Sequence, residues 1–145
     1  MAGNGGEIRV HPVGVFEQPL ESEEEAGLPV LLLRDEAGRE FHLPIGSCDG
    51  LAIHLALTQQ HVSRPLTHDL ALRLLEKLSG QLQRVVIDAY SEEGCHATLS
   101  ISTPRGPQLL EARAGDGVAL ALRADLPVFI TEEVYARARG PSNSL

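Results

Sequence analysis

The sequence has few aromatic residues, few cysteines and no long apolar run. It contains no Trp, two Tyr and three Phe among 145 residues, so its core must be built from aliphatic side chains. Proteins that bind single strands by stacking bases expose aromatic rings, and this composition argues against that mode. Cys48 and Cys95 allow one disulfide at most. The first residues lack the apolar core of a signal peptide, and no run is long enough to cross a bilayer. We therefore expect a cytoplasmic protein with free thiols and no membrane partner.

Positive charge is also scarce. Twelve Lys and Arg residues stand against 20 Asp and Glu residues, which gives a formal net charge of −8. Nonspecific affinity for nucleic acid comes mainly from basic side chains that neutralise phosphates, so tight DNA binding without a metal is disfavoured. Part of the acidic excess is local, because glutamates crowd residues 17–25. We interpret that segment as a solvated loop, which leaves the rest of the chain closer to balance.

The length suits one domain, which can bury roughly two-thirds of its unfolded surface without disulfides or metals. Residues 1–6 are predicted to be disordered, residues 7–137 to form the domain, and residues 138–145 to form a tail. The patterns predict three strands, two helices, two or three strands, a helix, a strand and a helix. This order indicates an α+β fold with a mainly antiparallel sheet and three to four helices.

Residues 64–100 combine a predicted helix with a predicted hairpin. Thr67 is expected to cap the helix, and Asp69 to complement its dipole and to pair with Arg73 one turn later. Five apolar residues recur at helical spacing and are predicted to form one buried face: Leu70, Ala71, Leu74, Leu75 and Leu78. Alternating apolar residues then indicate two strands, whose apolar face the preceding helix is expected to cover.

His68 and Asp69 place an imidazole and a carboxylate at the start of that helix, a position that attracts phosphate. His68 could act as a general acid or base, and Asp69 could orient it or hold a metal. The alternative is structural, with a capping carboxylate beside a surface histidine. The residues alone leave both interpretations open.

Glu111, Arg113 and Asp116 lie within six residues across a predicted strand-to-helix turn. Carboxylates that hold Mg²⁺ or Mn²⁺, beside an arginine that clamps a phosphate, suit phosphoryl hydrolysis. The alternative is an ion pair between Glu111 and Arg113, with Asp116 as the cap of a short helix over residues 118–123. The sequence has no glycine-rich phosphate loop, paired-cysteine zinc pattern or helical zincin motif that would decide between them.

Three runs, in matching order and spacing, resemble the bifunctional nuclease family over roughly Leu43 to Val134: LPIGSCDGLAI, RPLTHDLALRLLEKLSGQLQRVVI and EARAGDGVALALRADLPVFI. Asp49 stands where the family usually has Glu, and Glu111 stands where it usually has Asp. Eight positions match the blocks of the family: Pro65, Thr67, His68, Asp69, Arg113, Asp116, Ala119 and Arg123.

The resemblance implies a compact α+β domain that forms homo-oligomers and degrades DNA and RNA. The corresponding hypothesis is a metal-assisted phosphodiesterase, in which Asp116 with Glu111 or Asp69 binds Mg²⁺ or Mn²⁺. In it, His68 handles the proton and Arg113 steadies the phosphate. The alternative is a non-catalytic interaction or ligand-binding module that keeps the family fold and self-associates through its apolar helices. The acidic balance of the chain favours that alternative.

Overall fold

The computed structural model of the protein describes residues 6–17 and 29–139. All but residue 6 of the segment 1–6 that is predicted to be disordered lies outside these residues. Most of the acidic segment 17–25 and most of the tail 138–145 also lie outside them. Those predictions and the domain limits at residues 7 and 137 therefore stay predictions.

Within the described residues, seven strands form one sheet in the order β3-β2-β1-β7-β4-β5-β6. All neighbouring strands are antiparallel except β4 and β7, which are parallel. The predicted α+β class with a mainly antiparallel sheet is confirmed. The strands are β1 (Glu7–Glu17), β2 (Pro29–Asp35), β3 (Glu40–Pro44), β4 (Gln81–Ser91), β5 (Gly94–Thr103), β6 (Gly106–Arg113) and β7 (Val128–Thr131).

The helices of the described part are α1 (Ser47–Leu57), α2 (Thr67–Lys77), α3 (Ala114–Ala124) and α4 (Glu132–Arg139). Helices α1 and α3 pack against each other; α1 also contacts β1 and β2, and α3 contacts β4 and β5. Across residues 6–17 and 29–139, no helix has both the length and the apolar character that a membrane span requires.

The core is aliphatic, as the composition predicts, and includes Leu31, Ile53, Val85 and Ile130, all fully buried. Helix α3 approaches the β4–β5 hairpin closely at Gly117, where a Cβ atom would lie 3.0 Å from Val85 Cγ1. The expectation that α2 covers this hairpin is correct for β4 only. Helix α3 packs on both strands, whereas α2 packs on α3 and β4.

Helix α2 begins differently from the prediction. Its N-cap is Leu66, and Thr67 is the first helical residue rather than the cap. The backbone N–H of Leu66 donates to Asp69 Oδ2 at 2.9 Å. The other carboxylate oxygen of Asp69 accepts from Arg123 Nε at 2.9 Å, so the ion-pair partner of Asp69 is Arg123 and not Arg73. The Asp69 carboxylate thus stabilises the helix start by a route that the cap prediction missed.

The apolar stripe of α2 exists, but much of it points outward. Leu70, Leu74 and Leu78 are 50%, 56% and 76% exposed, while His68 is buried on the opposite side of the helix. The prediction of one buried face is therefore wrong for these three leucines and for Ala71, which is also exposed, while Leu75 is half-buried. Spacing identifies an apolar face but not what covers it.

Helix α3 begins at Ala114, four residues before the predicted start at residue 118. Its N-cap is Arg113, and Asp116 lies in its first turn without capping the helix through its side chain. Small residues at positions 114 and 115 let this turn pack against α1, so the turn is helical where a loop was expected.

The two cysteines are both free, as predicted. Cys48 is exposed at the start of α1 and Cys95 is buried in β5. Burial raises the pKa of the Cys95 thiol to about 11.

Candidate active site

Three helices begin close to one another, and the first turn of each contributes one ionisable side chain to a common site. Asp49 lies in the first turn of α1, His68 in the first turn of α2 and Asp116 in the first turn of α3. One ligand atom from each side chain lies within 4.8 Å of the others. We call these three residues the Asp–His–Asp cluster. Free N–H groups and helix dipoles make each of these termini favourable for negative charge.

A single ring nitrogen of His68 faces both carboxylates of the cluster. His68 Nε2 lies 2.9 Å from Asp116 Oδ1 and 3.9 Å from Asp49 Oδ1. The first distance is a hydrogen bond, whereas the second is a longer electrostatic contact. His68 thus joins α2 to both other helices through one atom.

The Asp49 carboxyl group is almost completely enclosed, with its side chain 3% exposed. Burial is the main reason that its pKa rises to about 6, and a hydrogen bond to the Asp116 carboxylate adds to the effect. Arg113 and His68 act in the opposite direction without overcoming burial. Ionisation of Asp49 at neutral pH therefore costs more free energy than ionisation of a carboxyl group in water.

Asp116 behaves in the opposite way to Asp49. Burial opposes its ionisation, but hydrogen bonds with Asp49, His68 and Arg113 outweigh burial and lower the pKa of Asp116. Arg113 Nε donates to Asp116 Oδ2 at 3.0 Å, and Arg113 Nη2 lies 3.5 Å from Asp49 Oδ1. The Arg113 side chain is 67% exposed, so it contacts the cluster while remaining open to solvent.

Gly115 leaves the space that the Asp49 side chain occupies. A Cβ atom at position 115 would lie 2.6 Å from Asp49 Oδ2 and 2.9 Å from Asp49 Cβ. Contacts that short do not occur, so a side chain here would displace the carboxylate. The Ala-Gly-Asp sequence thereby sets the distance between α1 and α3 at the cluster.

Two of the predicted site residues, His68 and Asp116, meet in the cluster, and Arg113 lies against it. The other two predicted residues do not join it. The Asp69 carboxylate binds Arg123 and the Leu66 N–H. Glu111 is 79% exposed, and its nearest ionic partner is His96, at 3.9 Å.

Sequence reasoning did not select Asp49, the most buried member of the cluster. One signal was available, because Asp49 stands where the resembling family usually carries a glutamate. A carboxylate at the start of a helix is also common for purely structural reasons, so the residue type alone did not single it out. Only the packing of α1 against α3 shows what Asp49 faces.

The donor set fits a divalent cation. Two carboxylate oxygens and one imidazole nitrogen suit Mn²⁺, Fe²⁺ or Zn²⁺, and the carboxylates also suit Mg²⁺. The burial of Asp49 supports the same conclusion, since a buried carboxylate is ionised readily only beside compensating positive charge. Among the described residues, Asp49, His68 and Asp116 form the group of three candidate ligands that lies this close together.

A cavity of about 610 Å³ opens beside the cluster. Asp49, Arg113 and Gly115 form one wall, strand β3 forms another, and the turn between β4 and β5 forms the rim. This volume lies within the range of about 300–1,000 Å³ that is typical of ligand pockets. A ligand in the cavity can reach Asp49 and Arg113 directly.

The fold and the cluster define a small α+β domain with a carboxylate-and-imidazole centre of the kind that holds a divalent ion. The chain belongs to the bifunctional nuclease domain family, whose model matches residues 30–143. The resemblance found in the sequence is thereby confirmed.

Two mycobacterial proteins are similar to the chain over most of its length. They are the uncharacterized proteins MT1877 and Rv1829 of Mycobacterium tuberculosis, from strains CDC 1551 and H37Rv respectively. Each is 40% identical over 135 residues, which cover 92% of this chain and 76% of the relative.

Proposed function

We propose that this protein is a metal-assisted phosphodiesterase that hydrolyses nucleic acid, with a divalent ion held by Asp49, His68 and Asp116. The observation that carries the proposal is the convergence of these three side chains from three helix starts. Membership of the bifunctional nuclease domain family supports the choice of reaction. The proposal replaces Glu111 and Asp69 as metal ligands with Asp49, because Glu111 is exposed and Asp69 is bound to Arg123.

The ion would supply positive charge that polarises a phosphoryl oxygen and promotes the ionisation of water. The ionised carboxylates of Asp49 and Asp116 would bind this ion. Carboxylates alone serve Mg²⁺, but an imidazole nitrogen in the same donor set favours a transition metal such as Mn²⁺. We therefore expect Mn²⁺ to support activity better than Mg²⁺.

His68 serves in this proposal as a ligand and not as the proton carrier that the sequence suggested. Both carboxylates approach the same nitrogen, Nε2. A nitrogen that binds an ion has no lone pair left to accept a proton. Water in the open cavity is then the natural acceptor and donor of protons.

Arg113 is well placed to bind the phosphate that reacts. Its guanidinium group contacts both carboxylates of the cluster and remains largely open to solvent. Guanidinium presents several N–H donors in a plane that matches phosphate oxygens, so it can hold a phosphate oxygen while its remaining donors keep Asp116 in place. The N-termini of α1, α2 and α3 add favourable potential for a phosphate at this point.

The experiment is hydrolysis of end-labelled single-stranded DNA and RNA by highly purified protein, with Mn²⁺, Mg²⁺ or EDTA. Asp116→Asn removes a ligand while keeping the shape of the side chain, and we expect it to lower the rate by about 100-fold or more. Asp88→Asn is the matched control, because Asp88 is an exposed carboxylate on β4 that accepts a hydrogen bond from Thr98. Its rate should equal that of the wild type.

Cleavage that persists in EDTA, or that is equal in the wild type and Asp116→Asn, would contradict the proposal and indicate a contaminating nuclease. An equal loss of cleavage in Asp116→Asn and Asp88→Asn would show that the loss is not specific to the cluster, and it would also contradict the proposal. Comparison of the DNA and RNA probes gives the substrate preference of the enzyme.

A second candidate function rests on a different observation. Helix α2 presents Leu70, Leu74 and Leu78 to solvent, and exposed apolar surface of this kind is typical of protein contacts. A non-catalytic module that keeps the family fold and self-associates through this face would need no nuclease activity. The hydrolysis experiment separates the two functions, since this module would not cleave either probe under any metal condition.

A further inference from the structure

A second concavity, of about 640 Å³, lies between the end of α1 and the start of α2. The connecting loop over residues 58–66 forms one wall, and α2 and α3 contribute the other side chains. We call it the basic concavity and define it by four of its lining residues: His61, Arg64, Arg73 and Arg123. It is separate from the cavity that contains Asp49 and Arg113.

The basic concavity carries an excess of positive charge on a chain whose net charge is −8. Three guanidinium groups line it against one carboxylate, that of Asp69. Asp69 is already neutralised, because Arg123 Nε lies 2.9 Å from its Oδ1 and the Leu66 N–H binds its Oδ2. The charges of Arg64 and Arg73 therefore remain uncompensated by this carboxylate.

Arg64 and Arg73 form no ion pair or hydrogen bond with any side chain in the described ranges 6–17 and 29–139. Other arginines of this chain are paired with carboxylates: Arg34 with Glu40, and Arg39 with Asp35. Two exposed guanidinium groups that share one concave surface without partners are suited to an anionic ligand.

We propose that the basic concavity binds phosphate groups of the nucleic acid backbone, with Arg64 and Arg73 as the contacting residues. The substrate class rests on the proposed function. The lining is polar or aliphatic, with glutamines 59 and 60 beside the arginines. It offers donors for phosphate oxygens but no Phe, Tyr or Trp ring as a platform for a base, so we expect binding here to be independent of sequence.

The position of the basic concavity relates it to the active site. His68 points into the Asp–His–Asp cluster, and the next residue, Asp69, lines the basic concavity. Consecutive Cα atoms are about 3.8 Å apart, so the two sites share the first turn of α2. Nucleic acid held by Arg64 and Arg73 would therefore contact the same helical turn that carries His68.

The test is the affinity of the protein for fluorescent single-stranded DNA and RNA of equal length, measured by anisotropy in EDTA to prevent cleavage. The variant is Arg64→Ala with Arg73→Ala. Lys77→Ala is the matched control, since Lys77 is an exposed cation on α2 outside the basic concavity. Both arginines are exposed, and thermal denaturation of each variant will establish that the fold is intact.

We expect the double variant to bind at least 10-fold more weakly at low salt. The slope of log affinity against log salt should become shallower by about 0.7 for each phosphate that the variant no longer neutralises. Lys77→Ala should retain the affinity of the wild type to within a factor of two. Equal affinities of the wild type and the double variant, or an equally weakened affinity in Lys77→Ala, would overturn the inference.

The same measurements distinguish this inference from the proposed function. Binding that depends on the two arginines, in a protein that hydrolyses neither probe, would overturn the nuclease proposal and leave the basic concavity as a nucleic-acid site. Metal-dependent hydrolysis, with an affinity that does not change in the double variant, would support the nuclease proposal and overturn the assignment of Arg64 and Arg73. Stronger arginine dependence with one of the two probes would identify the preferred nucleic acid.

Discussion

His68 and Asp116 are 48 residues apart in the sequence, and their side chains meet at 2.9 Å. The contact links the first turn of α2 to the first turn of α3. Asp49 reaches the same point from α1, so the cluster forms only when all three helices are packed. The geometry of this cluster therefore depends on tertiary structure more strongly than that of a site built from one loop.

The first prediction concerns which carboxylates would hold the proposed divalent ion. Asp49→Asn should weaken Mn²⁺ binding by at least 10-fold, because it removes one donor of the cluster and its charge. Glu111→Gln should bind Mn²⁺ as the wild type does, since Glu111 is exposed and faces His96. Isothermal titration with Mn²⁺ measures both affinities. If Glu111→Gln binds Mn²⁺ more weakly than the wild type and Asp49→Asn binds it equally well, the ligand assignment made from the sequence would be correct instead.

The fold was largely predictable because it depends on local patterns. Alternation and turn residues placed the strands, and β5 alternates as expected. In β4 the alternation fails, because the consecutive residues Val85, Val86 and Ile87 are all buried and Ala89 is exposed. The cluster was only partly predictable, since the sequence indicated His68 and Asp116 but could not show that α1 brings Asp49 to them. The prediction that Asp69 belongs to the site failed to match the geometry for a related reason. A carboxylate in a first helical turn can point to either side of the helix, and the partly buried Arg123 determines that side here.

The second prediction follows from the raised pKa of Asp49, about 6 in the folded protein against an ordinary value of 3.8. Between these values the folded state binds more protons than the unfolded state, so stability falls as pH rises through the window. Asp116 has a lowered pKa, and its contribution is instead lost as pH falls below its ordinary range. Asp49→Asn removes the first effect and, because Asp49 helps to lower the pKa of Asp116, also alters the second. The second effect lies below the ordinary pKa of 3.8, and measurements above pH 4.5 therefore report mainly the first.

We therefore expect the free energy of unfolding of Asp49→Asn, relative to the wild type, to increase by about 2 kcal/mol between pH 4.5 and 7.5. Urea denaturation in EDTA at several pH values provides the measurement. Glu111→Gln is the control, as an exposed carboxylate outside the cluster. Parallel stability curves for Asp49→Asn and the wild type would contradict the burial of an ionisable Asp49.

The third prediction concerns the close approach of α3 to Asp49. Gly115→Ala would place a Cβ atom 2.6 Å from Asp49 Oδ2, and we expect a decrease of about 1–3 kcal/mol in stability together with weaker Mn²⁺ binding. Alanine normally favours a helix over glycine, so a decrease here would report the contact itself. Gly46→Ala is the control, because its Cβ atom would lie 3.6 Å from the same oxygen. Its affinity for Mn²⁺ should match that of the wild type, and its stability should fall only by the roughly 1 kcal/mol that alanine costs at the N-cap of α1.

The last prediction concerns the outward leucine face of α2, which bears on the homo-oligomer expected from the family resemblance. Leu70, Leu74 and Leu78 follow each other at intervals of four residues and are all at least half exposed. Three exposed leucines on one face favour association with a partner, because the contact removes their apolar surface from water. A second copy of the chain presents the same face, and two such faces can pack against each other about a twofold axis.

We expect the wild type to sediment as an oligomer and Leu74→Glu to sediment at lower mass, because a charge at this position would be buried without a partner. Leu109→Glu on strand β6 is the control, since Leu109 is 74% exposed but lies away from α2. Dissociation by Leu109→Glu and not by Leu74→Glu would place the interface on the edge of the sheet, and a wild type that is monomeric at tens of micromolar would contradict self-association through α2.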